Sequence, residues 1–428
     1  MSSISEIVSR LNKEYKTDKL IIKSNILPYY ERLACGALGM DYPLFGGLPL
    51  GRIAVYSGLQ HSGKTTGACC ELAAYQRMFP KQTCVFVDVE HTLDLKFQAR
   101  MNGLDLSKLF YVNPVGLSGE QICDLIVELQ KGEDTGAIVL DSLPAMMPAI
   151  VLENDLTKDA GMRGTIAKKL YPFLSIMQSM VAEKNNILIL INQVRQVGTT
   201  FTGLPIYKEP CGGAPQYYSS VSVRFGTRKF TKLDDMDACG KENGEGADGF
   251  RLLFKIMKNK TAPCNRGGGF ITYRYATGLD WMHDLLEIAI GFDFIKRVNN
   301  VTYQLVNLET GELFEGDDGK PLQGKKADLV DYIMTHAEFQ NQYLAMLNKY
   351  ISASDDSYGS LLDDRTAAEI DDQEHAVEHQ FDRSQPKPDS KGASAPEEED
   401  PDGGDPEPEA SCGPIAEEEP KNGGGDKD

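Results

Sequence analysis

The stretch Gly58-Leu-Gln-His-Ser-Gly-Lys-Thr-Thr66 sets Gly, four free positions and Gly-Lys-Thr between an apolar run, Ile53-Ala-Val-Tyr56, and a helix-like segment over 66–79. This is the strand, glycine-rich loop and helix order that cradles a nucleoside triphosphate. Gly58 and Gly63 reach backbone angles closed to other residues and let main-chain N–H groups approach phosphate. Lys64 would reach the outer phosphates and the Thr65 hydroxyl would ligate magnesium. Thr66 completes the motif, where the positive end of the helix adds its field.

Three other residues of suitable type end apolar runs. Glu90 closes Asp88-Val-Glu-His91, where a carboxylate would meet the γ-phosphate and polarise a water; taken alone such a residue is more often an exposed strand-end acid. Asp141 ends Ala137-Ile-Val-Leu-Asp141, an apolar run and acid suited to holding magnesium through water. The run Ile187-Leu-Ile-Leu-Ile191 leads into Asn192-Gln193, an amide pair able to sense the γ-phosphate or simply to satisfy a strand end. Two polar, glycine-containing segments, 152–163 and 194–215, follow strands of the same set. The second is long for a loop without a pattern of its own, which points to ligand-binding loops more than to plain surface connections.

The elements that must position these residues alternate in period. Strand-like runs fall at 53–57, 83–89, 137–141, 187–192, 221–226, 250–257 and 270–276, and helix-like stretches at 66–79, 95–102, 119–131 and about 162–184. Such alternation predicts an α/β fold with a mixed, mostly parallel twisted sheet that closes in antiparallel strands. Ligands bind such sheets at the carboxyl ends of the strands, which is where Glu90, Asp141 and Gln193 stand. Near the N-terminus Ile4, Ile7, Val8 and Leu11 repeat at helical spacing and Leu20-Ile-Ile22 is extended and apolar, a helix/strand arm for its own domain or for a neighbour. Residues 234–249 read as an exposed hairpin insertion.

Charge is unevenly distributed. Residues 351–428 hold 24 acidic and 6 basic residues, so this tail carries -18 of the net -19 and the rest is close to neutral. A nucleic-acid partner is therefore not excluded by net charge. The tail is acidic, Pro/Gly-rich and poor in aromatics, a composition that predicts disorder. It serves either as a solubilising appendage or as an anionic competitor for basic surfaces. The 9 cysteines show no metal-like spacing and several sit in apolar patterns, which suits a reducing compartment. With no signal-like N-terminus and no run of about 18 apolar residues, the expected location is cytoplasmic.

Several ordered motifs together resemble the RecA family of bacterial strand-exchange recombinases: Gly46-Gly-Leu-Pro-Leu-Gly-Arg52, Cys84-Val-Phe-Val-Asp-Val-Glu-His-Thr-Leu-Asp94, Ile191-Asn-Gln-Val-Arg195, Gly212-Gly213 and Met257-Lys-Asn-Lys-Thr-Ala-Pro263. The resemblance runs from about residue 4 to 350; its divergent detail and the acidic tail suggest a phage-encoded relative. It implies a DNA-dependent ATPase using ATP and Mg2+, assembled as a filament on single-stranded DNA, which pairs that strand with homologous double-stranded DNA. It implies that Glu90 activates water, Gln193 couples the γ-phosphate to DNA, and Phe97 stacks on adenine where the family has a tyrosine. Lys258 and Lys260 would come from the adjacent subunit. The two loops become DNA-binding loops, with Met162 between bases, Arg163 or Lys168 and Arg195 on phosphates, and Gly212 and Gly213 cradling the backbone. Gln216 departs from an expected lysine, and Leu59 and Gln60 from the usual phosphate-loop pair. The implied division is an oligomerisation arm (1–30), a RecA-type phosphate-loop core (31–281), a small α+β C-terminal domain (282–350) and the tail (351–428), which would also dock replication or recombination proteins. A hexameric ring ATPase with the same core, or a nucleotide-binding mediator, remains the alternative.

Overall fold

The computed structural model describes residues 3–16, 31–153, 165–199, 205–231, 246–307, 310–315, 320–336, 339, 341 and 345. Helix α1 (Ile4–Glu14) precedes a two-stranded sheet of β1 (Arg32–Leu33) and β2 (Leu48–Pro49), with α2 (Leu38–Asp41) between them. Strands and helices then alternate: β3 (Arg52–Gly58), α3 (Lys64–Met78), β4 (Thr83–Asp88), α4 (Leu95–Asn102), β5 (Leu109–Val112), α5 (Gly119–Lys131), β6 (Thr135–Asp141), the short α6 (Ala149–Glu153), α7 (Thr165–Lys184) and β7 (Ile187–Gln193). A hairpin of β8 (Arg195–Thr199) and β9 (Pro205–Lys208) and the short α8 (Ala214–Tyr218) lead to β10 (Val221–Phe225). There follow β11 (Lys229–Thr231), β12 (Gly249–Asn259), β13 (Gly268–Arg274) and β14 (Gly278–Leu279). The last part comprises α9 (Trp281–Gly291), β15 (Ile295–Arg297), β16 (Tyr303–Leu305), β17 (Gln323–Gly324) and α10 (Lys326–Thr335).

The central sheet runs β14-β13-β12-β10-β3-β7-β6-β4-β5, with β11 beside β12. From β10 to β5 all pairs are parallel; the pairs involving β11 to β14 are antiparallel. The expected mixed, mostly parallel sheet is therefore what forms. Its central strands are near-continuous apolar runs because both faces are covered. Along β3, Ala54 and Tyr56 face one core with Ala68, Cys69 and Leu72 of α3. Ile53 and Val55 face the other, with Ile122 and Ile126 of α5 and Leu174 and Met177 of α7. Each such buried aliphatic contributes roughly 1.5–3 kcal/mol. Cys69, Cys70 and Cys84 are buried within the first core and behave as small hydrophobes.

The segment 194–215, expected to lack a pattern, contains the β8–β9 hairpin instead. Every residue of β8 is exposed, so neither face of the ribbon imposes the apolar alternation by which a strand is read. The four-residue edge strand β5 was also not anticipated, being too short to show a period. Of the 234–249 insertion, residues 234–245 lie outside the described residues, but the flanking β11 and β12 do pair antiparallel. Leu20-Ile-Ile22 and the tail lie outside them as well. Helix α1 forms with a Ser3/Glu6 capping box, yet none of its residues is buried and Ile4 is 79 % exposed. Among the described residues no helix is long and apolar enough to cross a membrane.

A third core gathers Leu285 and Leu286 of α9, Tyr303 and Leu305 of β16, and Leu329 and Ile333 of α10. Where α9 meets β12 and β13, charge is buried. Asp284 is wholly buried; its Oδ2 accepts the Thr272 amide at 3.4 Å and its Oδ1 has no hydrogen-bond partner. Burial pushes this carboxyl up to about 8, aided by Asp280 and opposed by Thr272 and Arg251. Burial, and then Arg251, Arg274 and Lys326, hold the His283 imidazole well below its ordinary range. Glu287 accepts from Lys326 at 2.8 Å and lies 3.7 Å from Arg251. Arg274 meets Asp280 at 2.8 Å.

The folded state binds the Asp284 proton up to pH about 8, whereas an unfolded Asp releases it near pH about 4, so stability falls with rising pH across that interval. His283 acts with the opposite sign below its unfolded value of about 6.5. Asp141 and Glu71, whose carboxyls burial also raises, add losses of the same sign as Asp284, so the Asp284 share is the difference between wild type and Asp284→Asn above pH about 6.5. Asp284 alone should thus account for up to about 2 kcal/mol of the stability lost in thermal unfolding between pH about 6.5 and 8. Asp284→Asn should lessen the fall there by that amount; equal losses in both proteins would refute the assignment.

Candidate nucleotide and nucleic-acid sites

β3 hands the chain into the phosphate loop at the carboxyl edge of the sheet. Gly63 sits at φ 89°, and a Cβ there would fall 2.3 Å from Leu252 Cδ2, so both the turn and the packing require glycine. Gly58, expected to need a special backbone angle, ends β3 without a positive φ; packing is what requires glycine there, since a Cβ would meet the Phe225 carbonyl and Ser62 Oγ, each at 2.6 Å. Lys64, largely buried, donates to the Leu59 carbonyl at 2.7 Å. Burial lowers its pKa, while Asp141 and Glu90 oppose that shift. Ser62 Oγ is buried with no hydrogen-bond partner, an orphan donor inside the loop. A loop of this form, with Lys64 beside it, fits the phosphates of a nucleotide.

Neighbouring strands bring the other groups to the same edge. Thr65 Oγ1 donates to Asp141 Oδ2 at 2.6 Å. Burial pushes the Asp141 carboxyl up to about 7, the Thr65 bond and Lys64 lower it, and Glu90 and Asp88 raise it. A divalent cation would relieve that repulsion, and Thr65 and Asp141 are the hard oxygen donors to hold it. Among the described residues no three His, Cys, Asp or Glu are arranged as metal ligands. The Thr65 and Asp141 oxygens fit a magnesium held by few protein oxygens and by phosphate, the usual arrangement for that ion.

Glu90 is placed by the turn after β4. Asp88 accepts the amides of Thr92 at 3.4 Å and Leu93 at 3.1 Å and the Tyr111 hydroxyl at 3.0 Å, which folds residues 89–93 back over the strand end. Gln193 Nε2 donates to Glu90 Oε1 at 2.7 Å, and the Ser142 hydroxyl donates to the same oxygen. Ser142 was not singled out from sequence, although its place directly after Asp141 at a strand end was the available signal. The backbone amide of Val194 donates to the Gly58 carbonyl at 3.1 Å, binding the end of β7 to the phosphate loop. Lys64, Thr65, Asp141, Glu90 and Gln193 are thus assembled in one place. Phe97, on α4, is partly buried against the first core with Arg100 5.9 Å from its ring.

The lysine pair is elsewhere. Lys258 pairs with Ser222, and Ser222 with Val55, three residues before Gly58 on β3. Lys260 lies further still toward the amino ends of the parallel strands, its amide bonded to the Ser220 carbonyl. The pair is therefore roughly 10 Å or more from the phosphate-loop end along the strands, with two strand spacings of about 4.8 Å besides. Lys258 Nζ donates to the Gln216 carbonyl, and Lys260 Nζ to the Tyr217 carbonyl at 3.4 Å. Burial and the adjacent Lys260 lower the Lys258 pKa.

The loop residues form a second grouping. Gly212 and Gly213 are exposed at the start of α8 and abut the first turns of α7: a Cβ on Gly212 would lie 3.1 Å from Ala167 Cβ, and one on Gly213 3.4 Å from the Tyr171 hydroxyl. Lys168 is exposed on that stretch of α7, and Arg195 is exposed at the start of β8, opposite Lys208. Burial raises the Cys211 thiol, the Arg195 cation draws it back, and the thiol stands at about 11. Met162 and Arg163 lie outside the described residues.

A glycine-rich loop between β3 and α3, with acid and amide groups at the ends of β4, β6 and β7, defines a phosphate-loop protein of the α/β class. Residues 2–280 match the RecA N-terminal domain family, and the chain belongs to that family. The chain is 28% identical over 298 residues to the protein RecA of Colwellia psychrerythraea, covering 69% of this chain and 81% of that one. It is 28% identical over 392 residues to that of Bdellovibrio bacteriovorus, 90% of this chain and 94% of the relative. To the RecA of Haemophilus ducreyi it is 32% identical over 269 residues, 62% and 67% of the two chains.

Proposed function

We propose that this protein is a DNA-dependent ATPase that assembles as a filament on single-stranded DNA and exchanges that strand into a homologous duplex, in recombination and repair. The observation that carries the reading is the 2.7 Å hydrogen bond from Gln193 to Glu90. It joins the acid suited to activating water to a strand that runs, two residues later, into the exposed β8–β9 hairpin. Lys64 and the loop amides hold the ATP phosphates, Thr65 and Asp141 hold magnesium, and Phe97 offers a ring face to adenine. When bound, the metal neutralises phosphate charge. Glu90 takes the proton from the attacking water, with Ser142 and Gln193 fixing its carboxylate. Lys168, Arg195, Gly212 and Gly213, with Met162 and Arg163, contact DNA mainly at its backbone, so binding is sequence-tolerant and weakens with salt.

The uncovered apolar residues of α1 support an arm that packs on a neighbouring subunit. On this reading residues 1–30 are the arm, 31–281 the ATPase core, 282–350 the small domain and 351–428 the acidic tail. The test is phosphate release from ATP with and without single-stranded DNA, alongside microscopy of the ATP-bound protein. Stimulation of about tenfold or more, together with filaments, is expected; activity indifferent to DNA, or closed rings only, would overturn the proposal.

A further inference from the structure

The hairpin is tied to the nucleotide site by one carboxylate that the reading above leaves without a role. Glu209 follows β9 directly, and its side chain is only 8% exposed. Its Oε1 accepts Arg224 Nη2 of β10 at 2.9 Å, and its Oε2 accepts Gln216 Nε2 of α8 at 2.7 Å. The same Oε2 receives Asn192 Nδ2 of β7 at 3.4 Å, and that amide nitrogen also lies 3.4 Å from the Pro210 carbonyl. Asn192 Oδ1 in turn accepts the backbone amide of Gln193 at 3.0 Å. A continuous line of hydrogen bonds therefore runs from Glu90 through Gln193 and Asn192 to the base of the hairpin.

The strengths along that line differ. The bonds to Arg224 and Gln216 are short, and the first is charge-assisted, so Glu209 is firmly fixed to β10 and α8. The two contacts from Asn192 are long and shared, hence readily remade when the end of β7 shifts. Gln216 is suited to this arrangement: its amide donates to Glu209 without adding a second cation beside Arg224. We propose that Glu209 is the positioning residue through which the state of the nucleotide site sets the pose of the hairpin and its glycine-rich base. The proposal rests on the reading of the hairpin as a DNA-binding element.

The test uses the full-length protein and a fluorescent oligothymidylate, its binding followed by anisotropy with and without a non-hydrolysable ATP analogue. Binding of a fluorescent ATP analogue without DNA is measured in parallel. Wild type should bind the oligonucleotide more tightly with nucleotide present. In Glu209→Ala that enhancement should shrink by about tenfold, while nucleotide affinity without DNA and nucleotide-free DNA affinity stay within about twofold of wild type. Asn192→Ala, which keeps the anchor to β10 and α8, should lose the enhancement in the same selective way. If Glu209→Ala melts early, Glu209→Gln and Asn192→Ala carry the comparison.

A merely structural role would weaken DNA binding equally in both nucleotide states, and that result would overturn the inference, as would an enhancement left intact. A wild-type protein with no nucleotide-dependent DNA binding would remove the proposed function itself, and this inference with it, before any variant is compared.

Discussion

Glu90→Gln is expected to lower ATP hydrolysis by about 10²–10⁴-fold, or roughly 3–5 kcal/mol of barrier, while nucleotide binding stays within a few-fold of wild type. The substitution is nearly isosteric, and its carbonyl oxygen can still accept from Gln193 and Ser142, as Oε1 of Glu90 does now. What it cannot do is take a proton. Binding should survive because the groups suited to the phosphates, Lys64 and the loop around Ser62, are positioned by β3 and α3 and not by Glu90. Single-turnover phosphate release and fluorescent-nucleotide titration separate the two quantities. Loss of binding in parallel with loss of rate would mean that Glu90 serves the fold of the site, and a rate within threefold of wild type would remove it from the chemistry. Because the nucleotide-bound protein is expected to hold DNA more tightly, slowed hydrolysis should also prolong the DNA-bound state of the variant.

The sequence is most legible where physical constraints are local and repetitive. Buried parallel strands need apolar residues on both faces, so β3, β6 and β7 stand out, and helices α4 and α5 fall where their spacing predicts, at Leu95–Asn102 and Gly119–Lys131. The phosphate loop is legible because its turn demands glycine at Gly63, close packing demands it at Gly58, and its chemistry demands Lys64 and Thr65. Legibility ends where a side chain's partner is remote in sequence. Glu209 reads as an ordinary acid in a loop; only the return of β10 beside β3 and the folding of α8 bring Arg224 and Gln216 to it. Ser142 similarly acquires its partner only when β4 pairs with β6. The β8–β9 ribbon is hidden for a different reason: a strand with no buried face has no composition to betray it. Asp284 belongs with these, since its neighbours Thr272 and Arg251 reach it through sheet register and not through spacing.

Two inactive variants are expected to restore each other's activity when mixed. Lys258 and Lys260 sit toward the amino ends of the strands whose carboxyl ends carry the phosphate loop, so they are badly placed to serve the nucleotide of their own chain. Their environment nevertheless suggests a use. Lys258 is partly desolvated beside a like charge, and both ammonium groups are turned onto backbone carbonyls of Gln216 and Tyr217. The phosphates of an adjoining subunit's nucleotide would relieve that repulsion and gain two cations at the charge developed in the transition state. Cations delivered in this way elsewhere accelerate hydrolysis by about 10³–10⁵-fold, so a Lys258→Ala/Lys260→Ala protein should lose at least about 10²-fold of its DNA-stimulated rate. It retains Glu90, and the Glu90→Gln protein retains the lysines. In a head-to-tail assembly of equal parts, roughly a quarter of the interfaces join an intact Glu90 to intact lysines. The mixture should therefore recover up to about a quarter of wild-type activity when DNA allows co-assembly, and little without DNA. Continued inactivity of a mixture shown to co-assemble would overturn the shared site and leave the lysines acting only within their own chain, whereas recovery requires that each site be completed by a second chain.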